Sequence, residues 1–157
     1  MRFVQHPELF AAAIDNVGIT NLLRFQFTPN GAGNIPEFGD VTKPDEFKWL
    51  YAMSAYHHIK DGVKYPALLG LTGAKDPRVP SWLVAEFVAR LQVATASGKP
   101  VLLRVDFDAG HLIGANRDQR EKADADQQTF LLWQLGDREF QIRRERRAIR
   151  VTAKGFD

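Results

Sequence analysis

No cysteine occurs among the 157 residues, which excludes disulfides, thiolate-bound metals and a cysteine nucleophile. No apolar run is long enough to cross a bilayer. Met1–Pro7 lacks the apolar core and small-residue cleavage site of a secretory signal, so a cytoplasmic protein is expected. Internal repeats are absent. Serine is scarce, with only Ser54, Ser81 and Ser97 available as hydroxyl nucleophiles of that type.

What remains is the composition of an ordinary globule, 45% hydrophobic and 25% charged. A chain of this length forms one domain and buries roughly 70% of the surface its unfolded form exposes. The net charge of +2 is unevenly placed, because seven basic and four acidic residues lie from Gly136 onward. Arg143-Arg144-Glu145-Arg146-Arg147 has no interleaved aromatics and no surrounding nucleic-acid motif, so a solvated face is expected rather than a nucleic-acid contact.

Along the chain, Pro7–Phe10 reads as a turn or short helix and Ala11–Val17 as a short buried strand. Asn21 to Lys43, rich in Gly, Pro, Asn and aromatics, reads as a long loop with at most one helical turn at its start. Pro44-Asp45-Glu46 opens a helix that ends near His57-His58, its face set by Phe47, Leu50, Tyr51 and Ser54. Ser81 is expected to cap a helix over Trp82–Ala96, and Gly98-Lys99-Pro100 stops it. A strand over Val101–Asp106 and a helix from about Glu121 to Leu135 follow, with Trp49, Trp82 and Trp133 as core or interface anchors. Strand and helix alternate three times, the pattern of a parallel sheet with helices on its faces. Three strands make a thin sheet with an open edge, which Ala148–Ala153, alternating like a half-exposed strand, or a partner chain can cover.

Two stretches carry chemistry. Leu68–Thr72 is an apolar run that ends at Gly73 and presents Asp76 and Arg78 two residues apart. Val101–Asp106 is a second β-rich run, followed by Gly110 and His111. An acid and a histidine, each just past a parallel strand, are two parts of a hydrolase triad. Other constellations are weaker. His57-His58 with Asp61 lacks a third metal ligand, and Gly31-Ala32-Gly33 lacks the strand and helix of a phosphate loop.

Gly73-Ala74-Lys75-Asp76-Pro77-Arg78-Val79, then Ala109-Gly110-His111, together with Gln5–Ala12 and Tyr51–Tyr56, resembles the C-terminal part of the catalytic α/β-hydrolase domain of the prolyl oligopeptidase family. The resemblance covers roughly the first 135 residues. It implies that Asp76 is the triad acid, His111 the base and Arg78 the guanidinium that holds a substrate carbonyl. The departures are specific. The Gly-x-Ser-x-Gly elbow that carries the family's nucleophile is absent, as are its propeller, the first strands of the hydrolase sheet and the tyrosine of the oxyanion hole. The tryptophan that stacks on a substrate proline is replaced near Asn34, and Leu112 follows the histidine where glycine is usual.

The expectation is therefore an α/β fold, a truncated hydrolase sheet flanked by helices over residues 1–140 with a basic tail over 141–157. Its activity is at most promiscuous ester or peptide hydrolysis by an Asp76–His111 pair without the elbow serine. Ser54 is the possible nucleophile, although a helix position makes it structural first. No cofactor or metal is called for. Loss of the flanking strands predicts a homodimer through an exposed sheet edge. The alternative is a non-catalytic relic or an assembly module to which a complementary chain supplies the serine.

Overall fold

The computed structural model describes residues 2–111 and 116–142. The expected tail strand at 148–153, the basic run at 143–147 and Leu112 lie outside the described residues. Three parallel strands, β1 (Ala12–Asn16), β2 (Ala67–Gly73) and β3 (Val101–Asp106), form one sheet in the order β1-β2-β3. The helices in chain order are α1 (Arg2–Gln5), α2 (Leu22–Phe25), α3 (Ile35–Phe38), α4 (Pro44–Met53), α5 (Ser81–Ala94) and α6 (Arg117–Leu135). No helix among the described residues is long and apolar enough to cross a membrane.

β2 is buried at all seven positions because it has a strand on each side and a helix on each face. Side-chain alternation divides it between two apolar clusters. Leu68 joins Val84, Phe87, Val88 and Leu91 of α5, whereas Leu69 and Leu71 join Ala123 and Phe130 of α6. Fully burying one such leucine contributes about 2 kcal/mol, so β2 with α5 carries much of the fold. A Cβ at Gly70 would stand 2.7 Å from a Val88 methyl, so glycine there sets how closely α5 lies on the sheet.

Three boundaries differ from the sequence reading for local reasons. α4 ends at Met53 because Ser54 takes an extended conformation, its hydroxyl accepting from the Leu22 amide at 3.1 Å; a separate 3-10 turn holds Tyr56–His58. Ser81 is the first residue of α5 and makes no cap bond; Pro80 stands at the N-cap with extended geometry. α6 begins at Arg117 because Asn116 and Gln119 form a reciprocal capping box. The 21–43 segment also holds a 3-10 turn at Ala32–Asn34 and a further helical turn, α3, with Pro36 in its first turn.

The tryptophans do not fill the core. Trp49 is 60% exposed. Trp82 lies on the surface with the Arg24 guanidinium 5.4 Å above its ring. Trp133 packs at the border of the α6 cluster, edge-on to Phe130.

Candidate active site

Asp76 stands three residues past the end of β2 and His111 five past the end of β3, so the parallel pairing of these strands places both at the same end of the sheet. The loops are braced together by backbone bonds. The Ala74 amide donates to the Asp106 carbonyl at 2.9 Å and the Lys75 amide to the Ala109 carbonyl at 3.0 Å. Gly73 makes that approach possible. A Cβ there would lie 2.6 Å from the Ala109 carbonyl oxygen and closer still to that of Gly110. On the other loop, Asp106 Oδ1 accepts the amides of Asp108 and Ala109 at 3.0 and 3.1 Å, forming a side-chain turn that aims the chain at His111.

The Asp76 side chain is wholly buried. Its Oδ1 accepts the amides of Arg78 at 2.8 Å and Val79 at 3.0 Å, and Oδ2 lies 2.9 Å from His111 Nδ1. A carboxylate held by amide donors accepts from the imidazole, so Nδ1 carries the hydrogen and Nε2 bears the lone pair. The His111 side chain is 23% exposed, and the described residues supply no partner for Nε2. Such an imidazole can take a proton from a hydroxyl or from water. Arg78 is exposed and its guanidinium makes no ion pair among the described residues, leaving it available to a carbonyl or carboxylate.

The serines are elsewhere. Ser54 is fully buried, and its hydroxyl lies 2.8 Å from His57 Nδ1 and 3.4 Å from the Thr20 carbonyl while accepting the Leu22 amide. Burial holds the His57 pKa below its usual value, so the imidazole is neutral and shares one hydrogen with the Ser54 hydroxyl. Ser54 thus joins the start of α2 to the end of α4 and makes no bond to His111. Ser97 bonds Thr95 and the Lys99 amide in the turn before β3, and Ser81 begins α5. The structure brings Asp76 and His111 together, with Arg78 two residues along the same loop, and it brings no serine to them. The described residues contain no group of three or more potential metal ligands.

Two features of the site region were not read from the sequence. The Asp106 turn is visible only as an Asp-x-Asp-Ala-Gly pattern past a strand, a signal that was present. Asp15, in β1, is half-buried; its Oδ2 is shielded and has no partner among the described residues, and burial raises its pKa to about 6 against the lowering effect of a Gly18 amide bond. Nothing in the local sequence distinguishes that carboxyl from a surface one.

A family model for the prolyl oligopeptidase family matches residues 1–138. A prolyl endopeptidase of Elizabethkingia miricola is 33% identical over 131 residues, which cover 83% of this chain and 19% of that protein. A prolyl oligopeptidase of Omphalotus olearius is 33% identical over 135 residues, 84% of this chain and 18% of that one. Among solved structures, a prolyl endopeptidase studied for inter-domain dynamics in catalysis and specificity superposes with a TM-score of 0.78 at 35% identity, covering 88% of this chain and 20% of its own. The prolyl oligopeptidase B of Galerina marginata, bound to a 35-residue substrate, superposes at 0.77 and 28% identity, covering 85% and 19%. The chain therefore spans about one fifth of the length of the relatives it matches.

Proposed function

The chain belongs to the prolyl oligopeptidase family of α/β-hydrolases, and on that premise we propose that it is a hydrolase-family module whose chemistry resides in the Asp76–His111 pair. Asp76 holds the imidazole in one tautomer and stabilises its charged form, His111 Nε2 takes the proton, and Arg78 binds a carbonyl of an ester or peptide. The observation that carries this reading is the 2.9 Å bond from His111 Nδ1 to a fully buried carboxylate, with Nε2 left open. With Ser54 buried and no serine beside His111, water is the nucleophile for the described residues, and activated small esters are the substrates within reach. General-base assistance of this kind contributes about 10²–10⁴-fold, and without preorganised donors for the oxyanion the largest single source of acyl-transfer rate is missing.

The test is hydrolysis of nitrophenyl acetate and butyrate by the purified chain beside His111→Ala and the variants Ser54→Ala, Ser81→Ala and Ser97→Ala. The expected result is a slow rate that falls at least 30-fold in His111→Ala and persists in all three serine variants. An unchanged rate in His111→Ala overturns the assignment.

A second reading is supported by the sheet itself. Only one side of β1 is paired among the described residues. A module that needs a second chain, either a copy of itself or a complementary chain that brings a serine, fits that open edge. A homodimer in sedimentation at micromolar concentration is the expected result, and a monomer removes self-pairing. A cytoplasmic setting belongs to the same proposal.

A further inference from the structure

Among the described residues the sheet is open at β3 as well as at β1, since β3 pairs only with β2. The Leu68 amide donates to the Pro100 carbonyl at 3.0 Å and the Ala74 amide to the Asp106 carbonyl at 2.9 Å. Alternation along β3 therefore turns the backbone groups of Val101, Leu103 and Val105 away from β2. Gln92 donates to the Val101 carbonyl at 2.8 Å and closes that end of the edge. The outward amides and carbonyls of Leu103 and Val105 have no partner among the described residues. Leu102 and Leu103, one on each face of the strand, are 42% and 38% exposed. An apolar edge of this kind pairs with another strand unless something covers it.

One face of that edge is also largely bare. α5 packs on β2 and β3, whereas α6 packs on β1 and β2 from the opposite face. A groove of about 600 Å³ is left beside β3, with Leu69, Leu102, Phe130 and Trp133 in its lining. The described chain leaves the fold at the same place: Gln141 Nε2 donates to the Trp133 carbonyl at 3.0 Å and to the Asp137 carbonyl at 2.8 Å, which holds the segment against a groove residue. Fifteen residues follow, 143–157, beyond the family match, which ends at 138. Among them Ala148–Ala153 is as long as β3 and alternates, with Ile149, Val151 and Ala153 against Arg150 and Thr152. Three of its six residues are β-branched, as suits a strand.

We propose that Ala148–Ala153 adds to the free edge of β3 as a fourth strand, antiparallel to it, with Ile149, Val151 and Ala153 turned into the groove and Arg150 and Thr152 turned to solvent. The direction follows from handedness. With β2-α5-β3 crossing right-handed over one face, as such units do, a parallel strand reached through α6 on the other face would cross left-handed. The reach suffices, because six residue steps from Ile142 to Ala148 span about 20 Å, the length of the six-residue β3. The chain can therefore run from the groove to the carboxyl end of β3 before it turns back along the edge. A strand carried on the same chain is present at high effective concentration, which favours it over a second copy. The proposal is independent of the hydrolase reading and leaves the edge of β1 as it stands.

Amide hydrogen exchange of the full chain, read residue by residue by NMR, tests it. The Leu103 and Val105 amides should exchange at least tenfold more slowly than in the unfolded chain, and equally slowly after dilution. Val151→Asp, which puts a charge into the groove, should remove that protection. Thr152→Asp, on the solvent side of the same strand, should keep it. The Leu68 amide, bonded to Pro100 inside the sheet, is the internal control, and its protection should be the same in the parent and in both variants. Fast exchange at Leu103 and Val105 in the parent overturns the proposal. So does protection that fades on dilution, which would make a second copy the cover, or protection that survives Val151→Asp. Equal loss in Thr152→Asp and Val151→Asp overturns the assigned faces and with them the docking into the groove.

Discussion

Two regions of the three-stranded parallel sheet differ in how completely their polar groups are satisfied. At the carboxyl ends of β2 and β3, the backbone amides that shape the two loops have partners: those of Ala74, Lys75, Arg78, Val79, Asp108 and Ala109 all donate to named acceptors. At β1 the reverse holds. Asp15 keeps an unpartnered carboxylate oxygen inside the fold, and Val17, a β-branched residue, sits at φ 53°, a conformation such side chains avoid. The loop backbone of the site region is internally bonded, with the Thr72 hydroxyl its one buried side-chain group without a partner among the described residues, and the strand beside it carries strain and an unpartnered carboxylate oxygen. A fold that concentrates its satisfied bonds around Asp76 and His111 needs nothing further to hold that pair, whereas β1 has features that only added contacts would relieve.

The sharpest way to break this contrast is to disturb the brace. Gly73→Ala places a methyl against the Ala109 and Gly110 carbonyl oxygens, which are backbone and cannot rotate aside. We expect a loss of about 3 kcal/mol, by analogy with overpacking of a close contact, and loss of ester hydrolysis together with it. Chemical denaturation and the nitrophenyl ester assay measure the two effects. Full stability in this variant means that the two loops can separate without cost, and the contrast with β1 disappears.

The next effect lies on the other side of the comparison and has the opposite sign. The Asp15 pKa is raised to about 6 from an ordinary 3.8, so the folded state holds the proton more tightly than the unfolded chain does. The Asp15 contribution to stability is then most favourable at acid pH, where the carboxyl is neutral in both states, and it falls as pH rises from about 4 through about 6, where the folded state must bear the ionised form. Asp15→Asn removes that penalty. It should raise stability on the order of 2 kcal/mol at pH 8 and change little at pH 4. Denaturant midpoints at the two values check it; equal gains at both would show that ionisation of Asp15 is not the cost.

Much of this fold was legible in the chain because β-rich runs bounded by glycine and proline report on strands directly. The limits expected for β3 match those observed, and Asp76 and His111 were placed at strand ends by pattern and resemblance alone. What escaped was decided at a distance. Ser54 reads as a helix-face residue, yet the Leu22 amide, 32 positions earlier, bonds its hydroxyl, and α4 ends four to five residues early. Asp15 reads as the polar end of an alanine run, and the pairing of β1 with β2, which sets its place in the sheet, is not visible in that run. Periodicity names the faces of an element; it does not say which face will be covered.

Ser54 gives an intermediate effect. Its hydroxyl satisfies a buried amide and bonds a neutral His57, so Ser54→Ala leaves the Leu22 donor without a partner. A loss of about 1–2 kcal/mol in thermal or denaturant unfolding is expected, with ester hydrolysis unchanged below the melting range. Loss of activity at full stability would instead make Ser54 a reacting group, despite its burial.

The smallest effect isolates what the brace consists of. Lys75 and Asp108 join the two site loops by an ion pair of 3.0 Å, but their side chains are 66% and 81% exposed. At that exposure water screens the charges and the long lysine side chain loses rotational freedom by pairing, so the net contribution is at most about 0.5 kcal/mol. The backbone bonds from the Ala74 and Lys75 amides to the Asp106 and Ala109 carbonyls join neutral groups and do not depend on salt. Lys75→Ala should therefore leave both the unfolding midpoint and the rate of ester hydrolysis within error of the parent, at 50 mM as at 500 mM salt, concentrations chosen as roughly a Debye length of 14 Å and 4 Å. A salt-dependent loss in the parent that vanishes in Lys75→Ala would transfer the work of holding His111 beside Asp76 from the glycine-permitted backbone contact to a surface charge pair.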